Sequence, residues 1–213
     1  MTLAAVDHLV WAAPDLERAS DEIADLLGVE PAPGGAHPAW GTRNRLLSLG
    51  PATYLEVIGP DPRADPELLA RGPELFGIAG LTGPRLVAWA AKATELEALR
   101  ERAAEAGLPL GPALDGSRRT PDGGELRWRL TDPLVVAAEG LVPFFIDWGD
   151  TPHPGVSAPP AGTLVELSGE HPQPEPVRRA LAWLGIEGVP VRPGPAPRLV
   201  ARIETAEGVV ELR

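Results

Sequence analysis

The sequence predicts an α+β fold made of repeated βαβββ units, and three observations predict it. Segments such as Val6–Trp11 and Glu125–Thr131 alternate from one residue to the next, as strands with two different faces do. Apolar stripes at helical spacing follow the first strand of each unit: Leu16, Ala19, Ile23 and Leu26, then Leu96, Leu99, Ala103 and Ala106, then Val177, Ala180, Leu181 and Leu184. The order strand, helix, further strands recurs over residues 3–60, 81–150 and 162–213. A unit of this size buries little of its own surface, so the three are expected to share sheets and one core in a single compact domain spanning 1–213.

The first strand places Val6, His8 and Val10 on one face and Asp7, Leu9 and Trp11 on the other. Pro14-Asp15 opens the first helix, with Asp15 as N-cap and Gly28 as its stop. Pro31–Gly35 interrupts regular structure, and the loop His37–Asn44 leads into a strand at Arg45–Leu49. Gly50-Pro51 turns the chain into the strand Thr53–Ile58. Residues 59–83, rich in Pro, Gly, Asp and Glu, read as a connection carrying a short helix at Pro66–Arg71.

The second unit starts with a strand at Arg85–Ala91. Thr94-Glu95-Leu96-Glu97 has the form of a capping box, and Gly107 ends the helix that follows. Asp115–Gly124 reads as a polar loop. In Glu125–Thr131, Leu126, Trp128 and Leu130 share one face, Arg127 and Arg129 the other, and Leu141–Trp148 closes the unit. In the third, Leu164–Leu167 is a strand, Pro176 fits a first helical turn, Gly185 is a stop, and strands follow at Arg198–Ile203 and Gly208–Leu212. Leu27-Gly28-Val29-Glu30 parallels Leu184-Gly185-Ile186-Glu187, and Tyr54-Leu55-Glu56-Val57 parallels Val209-Val210-Glu211-Leu212, which suggests a repeated module.

Composition narrows the function classes. A net charge of −11 disfavours nucleic acid and anionic membranes as partners, because both require a basic face. Absence of cysteine removes disulfides, thiolate nucleophiles and Cys-type zinc sites. Lys92 is the only lysine, so covalent chemistry has few candidates beyond serine and carboxylates. No Gly-rich phosphate loop, His-Glu-x-x-His pair or Gly-x-Ser-x-Gly elbow occurs. No apolar run reaches the length of a spanning helix, and no basic-then-apolar leader opens the chain, so a cytoplasmic location is expected.

The polar residues that interrupt apolar strands are the candidates for chemistry. His8 between valines is either a hydrogen-bonded interior histidine or a metal ligand. Glu56 within Tyr-Leu-Glu-Val-Ile is costly to bury unless it is paired, bound or made to act. Arg127 and Arg129 either point inward to receive a carboxylate or phosphate, or mark a solvated face. Trp128 and Trp148 read as core, and His153 and His171, among prolines, as surface residues.

Three segments carry a resemblance to a known family. Asp7-His8-Leu9-Val10, the loop His37-Pro38-Ala39-Trp40-Gly41-Thr42-Arg43-Asn44, and Tyr54-Leu55-Glu56 together resemble the glyoxalase-like branch of the vicinal-oxygen-chelate superfamily. Pro143–Trp148 is similar to that family's closing strand, so the resemblance covers roughly residues 6–150. It implies a cupped sheet with helices on its outer faces. It also implies a divalent metal (Mg, Mn, Fe or Zn) held from the first and last strands of two units, where His8 and Glu56 match the first pair, Asp147 is the nearest carboxylate on the second closing strand, and Leu86–Trp89 offers no ligand. Carried onto this chain, His8 and Glu56 are the catalytic candidates. His37, Trp40, Thr42 and Asn44 are the substrate-binding rim, joined by Arg127 and Arg129. The implied function is a small-molecule enzyme of the lyase, isomerase or dioxygenase kind acting on an anionic or oxygen-rich ligand. The alternatives are a non-catalytic binding or sequestration protein of the resistance type, and a module used only for assembly.

Overall fold

A computed structural model describes residues 5–119 and 124–213. The first unit runs β1 (Val6–Ala12), α1 (Leu16–Leu27), β2 (Ala32–His37), β3 (Thr42–Ser48) and β4 (Tyr54–Pro60). A connection with the short α2 (Pro66–Arg71) and a 3-10 segment (Gly72–Gly80) leads to the second: β5 (Arg85–Lys92), α3 (Leu96–Glu105), β6 (Ala113–Arg119), β7 (Glu125–Thr131) and β8 (Phe144–Asp147). The third contains β9 (Thr163–His171), α4 (Pro174–Trp183), β10 (Val191–Pro193), β11 (Arg198–Thr205) and β12 (Gly208–Leu212).

The first two units form one curved eight-stranded sheet in the order β2-β3-β4-β1-β5-β8-β7-β6. Each half has the same pairing: its opening strand lies parallel to its closing strand, β1 with β4 and β5 with β8. The halves meet along the antiparallel β1–β5 seam. At the far ends of the sheet, an Arg118 Nη1–H on β6 donates to the Gly34 carbonyl on β2, so the curve nearly closes on itself. The predicted α+β cup is present, with its helices outside.

The two sheet faces bury different things. Outward, Leu9, Trp11, Leu55, Val57 and Trp89 pack with the stripes of α1 and α3 in one cluster that also takes in Leu167, Leu181 and Ala201 of the third unit. Inward, Val10, Ile58, Ala90, Trp128, Phe144 and Ile146 form a second cluster, capped by Leu75 and Ile78 from the 3-10 segment. The third unit adds its own four-stranded sheet, β10-β9-β11-β12. It is joined to the large sheet by Leu164 N–H to Leu49 O and Leu86 N–H to Arg213 O, as well as through the outer cluster. Among the described residues no helix is long and apolar enough to cross a membrane.

Several local expectations are corrected. Leu26 is 48% exposed, and α1 buries Leu27 in its place. The Thr94 capping box does not form: no side chain caps α3, whose N-cap is Glu95, and Glu97 reaches across to Arg129. Pro31–Gly35 is not a break, since β2 begins at Ala32; it is an edge strand, where Pro33 costs no ladder bond. A Cβ at Gly34 would stand 2.1 Å from Asn44 Oδ1, so glycine here serves close approach rather than irregularity. The first half of the supposed polar loop Asp115–Gly124 is strand β6. There a Cβ at Gly116 would meet the Trp128 indole at 2.3 Å, and glycine is what lets that ring lie flat against its neighbour. Residues 120–123 of that segment lie outside the described ones.

The third unit repeats the element order but not the pairing. Its opening strand β9 lies between β10 and β11, and its last strand β12 is an edge, whereas β4 is central. Glu211 is accordingly exposed where Glu56 is buried.

The packing of α1 supplies a direct test. Ile23→Ala removes a side chain with no exposure and should cost about 2–5 kcal/mol, while Leu26→Ala should change stability by less than about 0.5 kcal/mol, both read from urea unfolding midpoints.

Candidate functional site

The concave face of the sheet holds a tight cavity of about 40 Å³. First-unit strands supply most of its polar groups. His8 on β1, Tyr54 and Glu56 on β4, Asn44 on β3 and His37 at the end of β2 all line it. The second unit supplies mainly apolar wall, with Trp128, Leu130, Phe144 and Ile146, and one cation, Arg118. The roof includes Trp40 from the turn after β2 and Phe76, whose backbone φ of 54° sets its ring 5.7 Å from that of Phe144.

The local arrangement begins with an irregularity in β1. The register against β5 shifts between Val6 and His8, so Val6 joins Leu9 and Trp11 in the outer cluster rather than sharing the His8 face. Asp7, at the shift, has no exposure, and its carboxylate lies 2.8 Å from His8 Nδ1. Trp148 Nε1–H donates to it at 3.1 Å, and His153 Nε2 stands 3.3 Å from its second oxygen. His153 Nδ1 accepts from the Gly155 N–H, so its proton is on Nε2 and faces Asp7. Burial pushes the Asp7 carboxyl up, but the hydrogen bonds from His153 and His8, and their charge, hold it well below the usual carboxylate range. An ionised Asp7 only accepts. His8 therefore carries a proton on Nδ1 and turns Nε2 into the cavity.

Nε2 of His8 faces Glu56, whose Oε2 is 3.9 Å away. The His8 ring is stacked on Tyr54 with centroids 4.6 Å apart and edge-on to Phe144. The other Glu56 oxygen accepts from Asn44 Nδ2–H at 2.5 Å. The same amide nitrogen lies 3.3 Å from His37 Nε2, and His37 Nδ1 is 3.1 Å from the fully buried Thr42 hydroxyl. Nδ2 donates, so Nε2 of His37 accepts and its proton is on Nδ1. Burial lowers the His37 pKa, Glu56 opposes that, and Arg118 and His8 reinforce it, so the ring is a neutral support for Asn44. Burial, then the Glu56 and Asp7 carboxylates, raise the Tyr54 phenol well above its ordinary 10.0 and keep it protonated.

The structure thus brings His8, Glu56, His37, Asn44, Thr42 and Trp40 together, though His37–Asn44 is two strand ends around a short turn and not one long loop. It does not bring Arg127, Arg129 or Asp147 there. Arg127 pairs with Glu125, and Arg129 with Glu97 and Asp115, on the opposite face of β7, in step with the alternation that sends Trp128 and Leu130 inward. Asp147 is the register partner of Arg129, shares that outer side and accepts from the Gly149 N–H. Trp128 and Trp148 are cavity walls as well as core.

Residues that sequence reasoning passed over matter as much. Arg118 fell inside a supposed loop. Asp7 was read as facing away from His8, although an acid in an otherwise apolar strand was itself a signal. His153, taken as a surface residue, is the second support of Asp7.

The donor set does not fit a resident metal. His8 Nε2 and Glu56 Oε2 face one another, but the His37 lone pair is taken by Asn44, and the inward positions on β5 and β8 are Ala88, Ala90, Phe144 and Ile146. Among the described residues no three His, Cys, Asp or Glu side chains are placed to hold an ion. Two protein ligands fall short of the three that catalytic sites commonly present.

His37 makes the acid side of the stability curve testable. A neutral buried imidazole contributes stability that is fully present above the unfolded value of about 6.5 and is lost as pH falls through the lower folded value. Asp7 is depressed too, but its contribution is lost only below an unfolded carboxylate value of about 3.9, outside that window. Thermal melts should therefore show falling stability from about pH 6.5 to 5, and His37→Gln should flatten this slope while lowering stability at pH 8.

A comparison with curated proteins gives no match. Among solved structures, a hypothetical protein from Staphylococcus aureus superposes with a TM-score of 0.70 at 14% identity, covering 98% of each chain, which shows a shared fold. Methylmalonyl-CoA epimerase from Mycobacterium tuberculosis matches at a TM-score of 0.41 and 20% identity, over 67% of this chain and 85% of its own. The Streptomyces coelicolor methylmalonyl-CoA epimerase in complex with 2-nitronate-propionyl-CoA matches at 0.44 and 18%, over 70% and 97%. The family model described as Glyoxalase-like domain matches residues 6–185, from the strand that carries His8 to the end of the helix of the third unit. By that match the chain belongs to the glyoxalase-like domain family of the vicinal-oxygen-chelate superfamily.

Proposed function

We propose that this protein is a small-molecule enzyme that moves a proton on its substrate, with Glu56 and His8 as the two proton-handling groups. One observation carries the reading: a carboxylate oxygen and an imidazole nitrogen stand 3.9 Å apart in a mostly apolar cavity, each fixed from behind, Glu56 by Asn44 and His8 by Asp7. Side chains held only for packing would not need their lone pairs aimed into empty space at such a desolvation cost.

The chemistry that suits this pair is removal of a proton from carbon next to a carbonyl. Glu56 Oε2 takes the proton, and the C–H electron pair moves into the carbonyl to give an enolate. The Tyr54 hydroxyl, kept protonated by burial and the nearby carboxylates, is a donor for that oxygen. Return of a proton to a different atom makes the reaction an isomerisation, and loss of a neighbouring group makes it an elimination. His8 Nε2 is the second acceptor, and the imidazolium it forms is stabilised by Asp7.

The test is hydrogen exchange into small carbonyl acids in deuterium oxide, followed by proton NMR. The wild-type protein should exchange an acidic C–H of at least one such compound, and Glu56→Gln should slow that by about 10²–10⁴ while leaving the fold intact. Asp7→Asn should slow it by a comparable factor: the new amide donates to Nδ1 and turns an Nε2–H, not a lone pair, into the cavity. Tight binding without exchange, unaffected by Glu56→Gln, would instead make this a sequestering protein.

A further inference from the structure

Among the described residues Arg118 is the ionisable cavity-lining group that the proton-transfer reading leaves unused. It is 7% exposed and lies on β6 in the row Leu114, Gly116, Arg118, whose register partners on β7 are Leu130, Trp128 and Leu126, the inward face. One Nη donates to the Gly34 carbonyl. That is a neutral acceptor and engages one arm of a five-donor fork. Among the described residues no carboxylate stands within 4.0 Å of this guanidinium, although Glu56 and Tyr54 act on it through the cavity. A buried cation without a counter-ion is strongly disfavoured, and bridging β6 to β2 requires no charge. The opposing carboxylate, Glu56, is already met by Asn44.

We propose that Arg118 selects the ligand: the cavity takes a compact monoanion, a carboxylate on a flat apolar body, with its anionic end on the guanidinium and its body against Trp128 and Phe144. This rests on the reading of the cavity as the substrate site and names its substrate class. It also moves the anion-binding role from Arg127 and Arg129, which are ion-paired on the outer face, to the arginine that the strand phase sends inward. A carboxylate seated there makes a charge-assisted, fork-type contact. Its far end, which in a substrate carries the carbonyl of the proton-transfer reading, then lies towards Glu56 and His8.

The experiment is a binding titration that needs no turnover. Trp40, Trp128 and Trp148 line the cavity, so intrinsic fluorescence reports occupancy. Phenylacetate is titrated against phenylacetamide, and isovalerate against isovaleramide for a smaller body, each pair matched in shape and differing in charge. The wild-type protein should bind at least one acid ten-fold or more tighter than its amide, and Arg118→Met should erase that preference. Arg118→Lys, which keeps the charge, should retain part of it and covers the case in which the methionine variant fails to fold. Equal binding of acid and amide, absence of binding by both pairs, or a preference that survives Arg118→Met overturns the proposal. Glu56→Gln keeps the acid preference while losing exchange, so failure of the ligand class and failure of the proton-transfer reading give different results.

Discussion

The Asp7 carboxylate sits in the interior, and among the described residues no arginine pairs with it. Its negative charge is met by N–H groups from its own neighbour His8 and from Trp148 just past β8, and by the His153 imidazole 3.3 Å away in the segment that leads to the third unit. A lone buried anion is tolerable only when its lone pairs are satisfied, so these contacts come as a set. The set ties the opening strand of the first unit to the closing end of the second, and as a by-product it orients His8. The register shift in β1 is what lets a residue next to His8 in sequence reach it side-on.

A second constraint is how polarity is distributed around the cavity. His37 is neutral and Tyr54 stays protonated, which leaves His8, Glu56 and Arg118 as the other ionisable groups lining the cavity among the described residues, with Asp7 behind His8. In a small, mostly apolar space such charges interact strongly, and each must be fixed by a specific partner. Thr42, His37 and Asn44 form a relay of hydrogen bonds that ends on Glu56, which explains why a turn flanked by polar side chains joins β2 and β3. The chain carries a net charge of −11, so an anionic ligand gains nothing from the protein's distant field, and its recognition must be local.

The outline of the fold was legible because it follows from periodicity. The α1 stripe apart from Leu26, the capping Asp15, the short helix at Pro66–Arg71 and the alternation of β7 appear where their patterns place them. What patterns do not encode is pairing. β2 and β6 look like loops because both are edge strands with glycines set by close approach of Asn44 and Trp128, contacts that exist only in three dimensions. The same blindness hid Arg118, and it made the third unit look like a repeat of the first although its strands pair in another order. His8 and Glu56 stood out because polar residues in apolar strands are costly. Asp7 carried the same mark, and its role was hidden by strict alternation, which the register shift breaks.

The two halves of the sheet share one topology yet divide the labour. The groups to which we assign proton handling, and their supports, come mostly from β1 to β4, while β6 to β8 contribute the hydrocarbon wall and a single guanidinium. A duplicated architecture of this kind separates two evolutionary variables that most pockets entangle. The second half can drift in shape and charge, and so change which molecule is admitted, while the reactive pair opposite keeps its geometry. Exchange of the β6–β8 segment between relatives is therefore a route to new selectivity with the chemistry held constant.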